Sequence, residues 1–360
     1  MLAMKPGHSI DTRMGGQHTA FIHPARGDLI MRILIYSARP HDDHFLTARF
    51  RQSGHEVTSR AESLCPDTAD MASGAEVVCS FVNDQLDATV LGKLRQLGVR
   101  LILQRAAGID NIDLATAHQL GFTVAHAPAY SPWAVAEHAT ALLLALNRHI
   151  PTAWQQVQRG NYLLDGLLGF DLHDKTALIV GLGRIGHCFA RIMQGFGCHV
   201  LAYDPMLPVD QRLPGIEFGE LADLWPRADV VSLHAPLLPA TRHMVDARLL
   251  ATSRPGMLLI NTGRGALVDT RALIDSLSAG RPGGYAADVY ENEKPLFFHD
   301  CSDHPHQDPL LDELLRLPNV LMTPHQAFFT REALEGIASA MEQALTAWQA
   351  GKPAPGILHA

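Results

Sequence analysis

The stretch TALIVGLGRIGHCFARIMQGFG, residues 176–197, places a glycine-rich turn between a short apolar run and a helix-like segment. The turn has the pattern G-x-G-x-x-G, formed by Gly181, Gly183 and Gly186. After a strand, the first glycine permits a tight turn, the second lets the backbone approach a pyrophosphate, and the third lets the helix pack on the strand. The stretch therefore predicts a dinucleotide-binding unit, with the phosphates at the helix N-terminus, where free N–H groups favour anions.

The next apolar run, HVLAYD (199–204), ends in Asp204. A carboxylate at this place accepts hydrogen bonds from the ribose hydroxyls of an adenosine and repels the 2′-phosphate of NADP. No arginine or lysine follows directly to receive that phosphate. NAD is therefore the predicted cofactor. The alternative is a glycine turn that only packs, followed by an aspartate that only caps.

Similar apolar runs recur along the chain from Met31, and amphipathic stretches separate them. The first series is 32–37, 76–81, 100–104 and 122–127, and the second is 176–181, 199–204, 229–236, 257–263, 283–290 and 319–325. This alternation is typical of α/β proteins, in which helices cover both faces of a parallel sheet. A chain of 360 residues is also too long for one ordinary core. We therefore predict two doubly wound parallel-sheet domains with a cleft between them.

The order of the segments predicts a discontinuous first domain. A long apolar-periodic segment, 134–160, is divided at Pro151 and predicts a helical crossover, and the last helix is expected to return to the first sheet. Residues 1–30 have no sustained periodicity, and a better start follows at Met31, so we expect a disordered leader or an upstream-start artefact. The predicted domains are 31–130 with 329–360 for substrate and 131–328 for NAD.

Composition narrows the classes of partner. The chain is 47% hydrophobic and 18% charged, and its formal net charge of −8 disfavours nucleic acid and anionic lipid. It has no apolar run of about 20 residues, which a membrane span needs, and its N-terminus has no signal-peptide core. Its five cysteines lack zinc-site spacing, so we expect reduced thiols in a cytoplasmic protein that binds a small molecule.

Polar side chains follow three strands of the second series, and ligands of α/β folds bind at the carboxyl ends of strands. Arg264 lies in NTGRG, where its planar guanidinium suits a carboxylate or keto acid. Asp288 and Glu293 lie in ADVYENE, on a loop where two acids could face one site. The alternative for the arginine is a structural salt bridge. The alternative for each acid is a solvated position on the loop.

His325, in TPHQAF, is one of 20 histidines. Its imidazole suits general acid–base work near neutral pH, and a neighbouring carboxylate would keep the imidazolium populated. Alone it is better explained as structural, but together with an NAD site, an arginine and a carboxylate it becomes a catalytic candidate. His304 and His306, in HPHQD, suggest a metal at first sight, yet they lie in a polar insertion and are read as solvent-facing, so no metal is expected.

These motifs together resemble the D-isomer-specific 2-hydroxyacid dehydrogenases. The motifs that carry the resemblance, in chain order, are GLGRIG, Asp204, SLHAP, NTGRGALVD, DVYENE and TPHQAF. The stretches closest to the fermentative D-lactate dehydrogenase branch are AAGIDNID, APAYSPWAVAEHA, LNRHI, LDGLLGF, ENEKPLFFHD and HQAFFTREAL. The resemblance covers residues 31–360 and implies a Rossmann domain for NAD, a flavodoxin-like substrate domain, and an active site in the cleft between them.

The resemblance also implies a role for each matching residue. Arg264 would bind and polarise a 2-oxo acid, His325 would donate the proton, and Glu293 would pair with His325. The substrate carboxylate would lie at the N–H groups of Ala107 and Gly108, with Tyr130 lining the pocket. The cofactor contacts implied, beyond the three glycines and Asp204, are Arg184, Ile185, Ala235, Pro236, Thr241, Thr262, Gly263 and Asp288. Gly263 stands where relatives usually have serine.

The implied reaction is NAD-dependent reduction of pyruvate to D-lactate. The first alternative is another substrate, either a bulkier 2-oxo acid such as phenylpyruvate or 2-oxoisocaproate, or hydroxypyruvate. A non-catalytic NADH-sensing protein is the second, since relatives of this fold serve as transcriptional corepressors, although Arg264, Glu293 and His325 argue against it. A homo-oligomer, dimer or tetramer, is expected, with an arm near Trp154–Tyr162 and LLGFDL packing on a partner.

Overall fold

The computed structural model describes residues 29–208, 213–294, 296–303 and 307–358. The leader prediction for residues 1–30 falls almost entirely outside the described residues. His304 and His306, which were expected to face solvent without a metal, also lie outside them.

The first sheet has six strands in the order β2-β1-β3-β4-β5-β13. Its strands are β1 Arg32–Ile35, β2 Glu56–Ser59, β3 Val77–Ser80, β4 Leu101–Gln104, β5 Thr123–His126 and β13 Ile357–Leu358. The order 2-1-3-4-5 is that of flavodoxin-like folds, the fold that the resemblance implies for this domain. Two edge strands were not predicted: β2 alternates exposed and half-buried residues, and β13 has two residues and pairs antiparallel with β5.

The second sheet has seven strands in the order β12-β11-β10-β9-β6-β7-β8. Its strands are β6 Thr176–Val180, β7 His199–Tyr203, β8 Ile216–Phe218, β9 Val230–Leu233, β10 Leu258–Asn261, β11 Gly284–Ala287 and β12 Val320–Met322. The direction of the strand order reverses between β6 and β9, as in a Rossmann fold. The expectation of six strands was wrong by one, because β8 is a short edge strand without a buried apolar run.

Helices cover both faces of each sheet. They are α1 Pro40–Asp42, α2 Ala48–Gln52, α3 Ala88–Gln96, α4 Leu114–Gln119, α5 Pro132–Asn147, α6 Ile150–Gln158, α7 Arg184–Gly195, α8 Leu221–Leu224, α9 Ala247–Ala251, α10 Thr270–Ser278, α11 Pro309–Leu315 and α12 Arg331–Gln349. Several begin at a side chain that accepts a backbone N–H of the first turn, as N-cap residues do: Asp87, Asp113, Ser131, Asp246, Asp269, Asp308 and Thr330.

Among the helices of the described ranges, none is long and apolar enough to cross a membrane.

Two helical segments connect the sheets. The crossover divides into α5 and α6 at His149, which has a left-handed φ of 49°, just before Pro151. Helix α12 packs on the first sheet, where Met341 and Leu345 join the core of β1, β3 and β4. We call the residues packed on each sheet the first and second lobes; domain boundaries at 130/131 and 328/329 stay a prediction.

The three glycines of the turn after β6 differ in the atoms that surround them. Gly181 has φ +90°, and a Cβ there would stand 2.7 Å from the backbone nitrogen of Ala235. A Cβ on Gly186 would overlap the carbonyl oxygen of Gly181, so this glycine lets α7 pack against the turn. Gly183 has nothing within 4 Å of its Cβ position, so the backbone there is open to a bound group.

Replacement of Gly186 by alanine should lower the free energy of unfolding by about 1–3 kcal/mol, because the new methyl group forces α7 away from the turn. The matched control is Gly195→Ala in the same helix, where nothing lies within 4 Å of the Cβ position. Urea denaturation of both variants measures the difference. Equal stability of the two variants would contradict the packing role of Gly186.

Candidate active site

Neighbouring cavities lie where the two lobes meet at the carboxyl ends of their strands. The reaction cavity, about 90 Å³, is lined from the first lobe by Ala107, Gly108 and Tyr130, and from the second by Thr262, Arg264, Asp288 and His325. The cofactor cavity, about 240 Å³, is lined by Gly183, Arg184, Ile185, His234 and the segment 128–132. The side cavity, about 140 Å³, shares Phe81, Arg105, His325, Phe328 and Ile337 with the reaction cavity.

His325 is held by Glu293. The imidazole Nδ1 lies 2.8 Å from Oε1 of the carboxylate, and both side chains are less than one-fifth exposed. The other carboxylate oxygen accepts the backbone N–H of Tyr290 at 2.8 Å, which fixes the acid in turn. With Nδ1 engaged, Nε2 is the ring nitrogen left for a ligand. His325 also has φ +55°, a left-handed conformation that a non-glycine residue adopts at a cost.

Asp288 fixes the loop that carries His325. Its carboxylate accepts three hydrogen bonds from that loop, from the hydroxyl of Thr323 and the backbone N–H groups of Gln326 and Ala327, at 2.5–2.9 Å. The Nε2 atom of His138 lies 3.4 Å away. Asp288 is 1% exposed, so the idea that both acids of ADVYENE face one site has to be refined. Glu293 pairs with the histidine, and Asp288 holds the backbone beneath it.

Arg264 crosses from the second lobe to the first. Its Nε donates to Oδ2 of Asp110 at 2.8 Å, and its Nη1 donates to the carbonyl of Gly263 at 2.9 Å. The backbone of the turn is fixed by Asn261, whose amide donates to the Arg264 carbonyl at 3.0 Å and accepts from Gly263 N–H at 3.1 Å. The guanidinium therefore lies in one defined orientation at the cleft.

The turn with Ala107 and Gly108 faces that guanidinium. A Cβ on Gly108 would overlap Nη2 of Arg264, so only glycine permits this approach. The buried amide of Gln104 donates to the Gly108 carbonyl at 3.1 Å, and a ring nitrogen of His126 lies 3.0 Å from the Ala107 carbonyl. With both carbonyls turned to protein partners, the turn is held in place beside the arginine.

Tyr130 separates the reaction and cofactor cavities and lines both. Burial raises the pKa of its phenol to about 12, the charge of Arg264 opposes the rise, and Asp288 adds to it. The hydroxyl is therefore neutral near pH 7. Helix α12 packs on its backbone through Gly336, whose Cβ position is 2.7 Å from the Tyr130 carbonyl oxygen.

The residues around the glycine turn fit a dinucleotide. Gly183 and Ile185 form the open entrance of α7, and Arg184 reaches the Pro128 carbonyl of the first lobe at 3.2 Å. Asp204, at the end of β7, accepts the backbone N–H of Leu182 at 2.8 Å and so lies beside the turn. Each carboxylate oxygen accepts more than one hydrogen bond, so this contact leaves capacity for ribose hydroxyls.

Two buried polar atoms, one at the cofactor cavity and one at the reaction cavity, lack a partner among the described residues. They are Nδ1 of His234 and Oγ1 of Thr262. Burial lowers the pKa of His234 to about 3, so its ring is neutral. Because a buried polar atom without a hydrogen bond is unfavourable, both atoms are suited to a polar ligand.

The loop after β9 contains the remaining predicted cofactor residues. Ala235 contacts the glycine turn at Gly181. The hydroxyl of Thr241 donates to the Pro236 carbonyl at 2.6 Å and accepts the N–H of Leu238 at 2.8 Å. These two hydrogen bonds of Thr241 therefore stabilise the conformation of this loop.

Sequence reasoning missed several residues that line the site, among them Phe81, Phe298, Arg39 and Asp110. Phe81, after β3, contacts Phe298 edge-to-face at 5.0 Å, and the Phe298 ring lies 5.7 Å from that of His325. The guanidinium of Arg39 donates to the Phe298 carbonyl across the cleft. Asp110 pairs with Arg264. Only AAGIDNID and ENEKPLFFHD, the motifs that contain Asp110 and Phe298, indicated these segments, and neither motif indicated the contacts.

A Rossmann sheet with a histidine–carboxylate pair and an arginine at its carboxyl edge defines an NAD-dependent dehydrogenase. A family model described as the NAD binding domain of D-isomer specific 2-hydroxyacid dehydrogenases matches residues 140–327. A 2-hydroxyacid dehydrogenase homolog of Zymomonas mobilis is 44% identical over 330 residues, covering 91% of this chain and all of that protein. The chain therefore belongs to the D-isomer-specific 2-hydroxyacid dehydrogenases.

The names of two further relatives state which reaction those proteins catalyse. The D-lactate dehydrogenase of Escherichia coli is 40% identical over 328 residues, which cover 91% of this chain and all of that protein. The structure reported for the pyruvate reductase of Chlamydomonas reinhardtii superposes with a TM-score of 0.84 at 39% identity, covering 90% of this chain and 98% of that one. Such similarity identifies this chain as an NAD-dependent D-2-hydroxyacid dehydrogenase.

Gly108→Ala should lower kcat/KM for a 2-oxo acid by on the order of 10²-fold, because the methyl group displaces the Arg264 guanidinium by about 1 Å. Binding of NADH, measured by fluorescence, should be unchanged. Gly92→Ala, in α3 of the same lobe, is the control, since its Cβ position is open. Unaltered kinetics in Gly108→Ala would contradict the close approach of Arg264.

Proposed function

We propose that this enzyme reduces pyruvate to D-lactate with NADH and catalyses the reverse reaction with NAD. The observation that carries the proposal is the convergence of Arg264 and the Glu293-bound His325 on one cavity, opposite the Ala107–Gly108 turn. The names of the relatives in Escherichia coli and Chlamydomonas reinhardtii support pyruvate as the substrate.

The substrate would be held from both lobes. The N–H groups of Ala107 and Gly108 would bind its carboxylate, and Arg264 would bind and polarise the 2-oxo group. A guanidinium is always protonated and offers several donors in one plane, which suits a planar 2-oxo acid. Binding between the lobes fixes the reacting carbon relative to the nicotinamide, and this positioning is the main task of the protein.

His325 would supply the proton. NADH, when bound, supplies the hydride to C2, and the C2 oxygen then needs one proton to become a hydroxyl. Glu293, 2.8 Å from Nδ1, orients the ring, so Nε2 is the atom that would deliver the proton. In the reverse reaction the neutral ring takes the proton back. Asp288 would act on this step through the loop that it fixes.

Water would be kept from the reacting atoms by aromatic side chains. Phe81, Tyr130 and Phe328 line the reaction cavity. Phe328 lies 5.9 Å from Phe81 and 6.5 Å from Tyr130, measured between ring centroids. A wall of this kind lowers the local dielectric and strengthens the attraction between Arg264 and an anionic substrate.

The side cavity favours a second candidate, a 2-oxo acid larger than pyruvate. It adjoins His325, has a volume of about 140 Å³, and is lined mainly by apolar groups, among them Phe45, Leu46, Phe298 and Leu334. A branched or aromatic side chain on C3 of the substrate would bury apolar surface there. Pyruvate has only a methyl group and would leave this volume to water.

A substrate panel tests the choice between the two candidates. We expect the highest kcat/KM with pyruvate among pyruvate, hydroxypyruvate, 2-oxoisocaproate and phenylpyruvate, and D-lactate by chiral chromatography. A kcat/KM for pyruvate that is tenfold or more below that of another acid would reject the lactate assignment and favour the side cavity as the specificity site. An L product would reject the proposed stereochemistry.

His325→Ala should lower kcat with the preferred acid by about 10²- to 10⁴-fold, the range expected for loss of a general acid. The dissociation constant of NADH should stay within about twofold, since no cofactor role is assigned to this ring. His199→Ala, at the exposed start of β7, is the control. A loss of NADH affinity as large as the loss of kcat would instead place His325 in the cofactor site.

We also propose that the enzyme is a homo-oligomer. An apolar arm of the second lobe exposes large side chains from α6 and the following loop, namely Ile150, Trp154, Val157, Tyr162, Leu163, Leu164 and Leu168. Leu164 and Leu168 are 82% and 92% exposed. Patches of this kind mark interfaces, and a second copy is the occupant that a two-fold, self-complementary contact would supply.

Sedimentation velocity tests the oligomer. The wild-type chain should sediment as a dimer or tetramer at micromolar concentration, and the double variant Trp154→Glu, Leu164→Glu should sediment as a smaller species because two charges are buried without partners. Met71→Glu, at an exposed apolar residue of the first lobe, is the control. A wild-type monomer, or an oligomer unaffected by the double variant, would reject the arm as the interface.

A further inference from the structure

The ion pair between Asp110 and Arg264 joins the two lobes at the reaction cavity. Asp110 lies in the loop after β4, and Arg264 lies in the turn after β10. The Nε···Oδ2 distance is 2.8 Å, and the side chains are 30% exposed for Arg264 and 47% exposed for Asp110. An ion pair as exposed as this adds little to stability. Its importance therefore depends on what it does to the arginine.

The three guanidinium nitrogens of Arg264 have different surroundings. Nε is bound by Asp110, and Nη1 is bound by the Gly263 carbonyl. Nη2 lies over Gly108, where a Cβ would overlap it, and no acceptor for it occurs among the described residues. The same Cβ position is 3.5 Å from Oδ2 of Asp110. Two anchors thus fix the plane of the guanidinium and leave the Nη2 edge towards the turn that would bind the substrate carboxylate.

We infer that Asp110 is a positioning residue for Arg264. Its carboxylate holds Nε, so that Nη2 faces the 2-oxo acid when the substrate enters. Because the two residues belong to different lobes, the pair forms only when the lobes are as close as they are here, and it couples the orientation of the arginine to closure of the cleft. The inference rests on the proposed function, in which Arg264 binds the substrate.

Asp110 has an opposing effect that an experiment can separate. Its negative charge lies close to the place proposed for the substrate carboxylate, and like charges repel. If repulsion dominated, removal of the carboxylate would improve binding. If orientation dominates, removal frees the arginine side chain to rotate, and the 2-oxo acid loses a fixed partner. The geometry favours orientation, since both Nε and Nη1 are engaged within 3 Å.

Other groups hold the loop around Asp110, so its substitution leaves the loop in place. The Asn111 amide donates to the carbonyls of Phe81 and Asp84, both at 2.9 Å, and Gln104 donates to that of Gly108. Within the described ranges, Arg264 is the residue whose side chain bonds the Asp110 carboxylate. Effects of substitution at 110 therefore report on the arginine.

The test compares Asp110→Ala with Asp110→Asn at saturating NADH. The alanine variant should lose about tenfold or more in kcat/KM for the preferred 2-oxo acid, whereas asparagine keeps an oxygen acceptor for Nε and should stay within about threefold of wild type. Asp67→Ala, at an exposed acid of the same lobe, controls for the change of net charge. Affinity for NADH should be the same in all four proteins.

A double-mutant cycle tests whether Asp110 acts through the arginine. Arg264→Lys has no Nε and no planar fork, so Asp110→Ala should cause no further loss of kcat/KM in that background. An equal loss in both backgrounds, a gain in Asp110→Ala, or wild-type kinetics in Asp110→Ala would each overturn the inference.

The inference and the proposed function fail in different ways. Wild-type turnover with unchanged kinetics in Asp110→Ala rejects the inference alone. Absence of turnover with every 2-oxo acid rejects the proposed function, and the inference is then judged on the affinity of oxamate, an unreactive pyruvate analogue, for the NADH complex. A tenfold weaker affinity in Asp110→Ala supports it, and an unchanged affinity overturns it.

Discussion

The approach of Arg264 to Gly108 is the contact on which the rest of the site depends. The guanidinium of one lobe lies where a Cβ on residue 108 of the other lobe would be, so Arg264 holds this position only because residue 108 is glycine. That position allows Nε of Arg264 to reach Asp110. It also encloses the reaction cavity between the two strand edges. The missing Cβ therefore lets the guanidinium of one lobe lie directly against the backbone of the other.

Opposite this contact, the second lobe fixes His325 by several hydrogen bonds. Glu293 binds its ring, and Asp288 accepts hydrogen bonds from the residues on both sides of it. These bonds support a left-handed backbone at His325, a conformation that local preferences alone would not keep. The two acids of one short motif thus have separate tasks, and both concern the same histidine.

The sequence predicted much of the fold because its signals are local. The glycine pattern after β6 needs only a strand before it and a helix after it, and buried strands such as β9 and β10 are mostly apolar. Edge strands lack that signal, so β2, β8 and β13 were missed. Among site residues, Arg264 and His325 could be found because each ends a predicted strand. Asp110 and Phe298 lie in loops, and their partners are more than 150 and 250 residues away, respectively.

By itself, the sequence determined the family, two parallel-sheet lobes, NAD as the cofactor and the identity of the candidate catalytic residues. These follow from residue types at fixed spacings along the chain. Only the tertiary structure decided that Asp288 fixes the loop that carries His325 and that Asp110 holds the arginine. The physical reason is that hydrogen bonds act over about 3 Å in space, and spacing along the chain does not fix which loops of two lobes come that close.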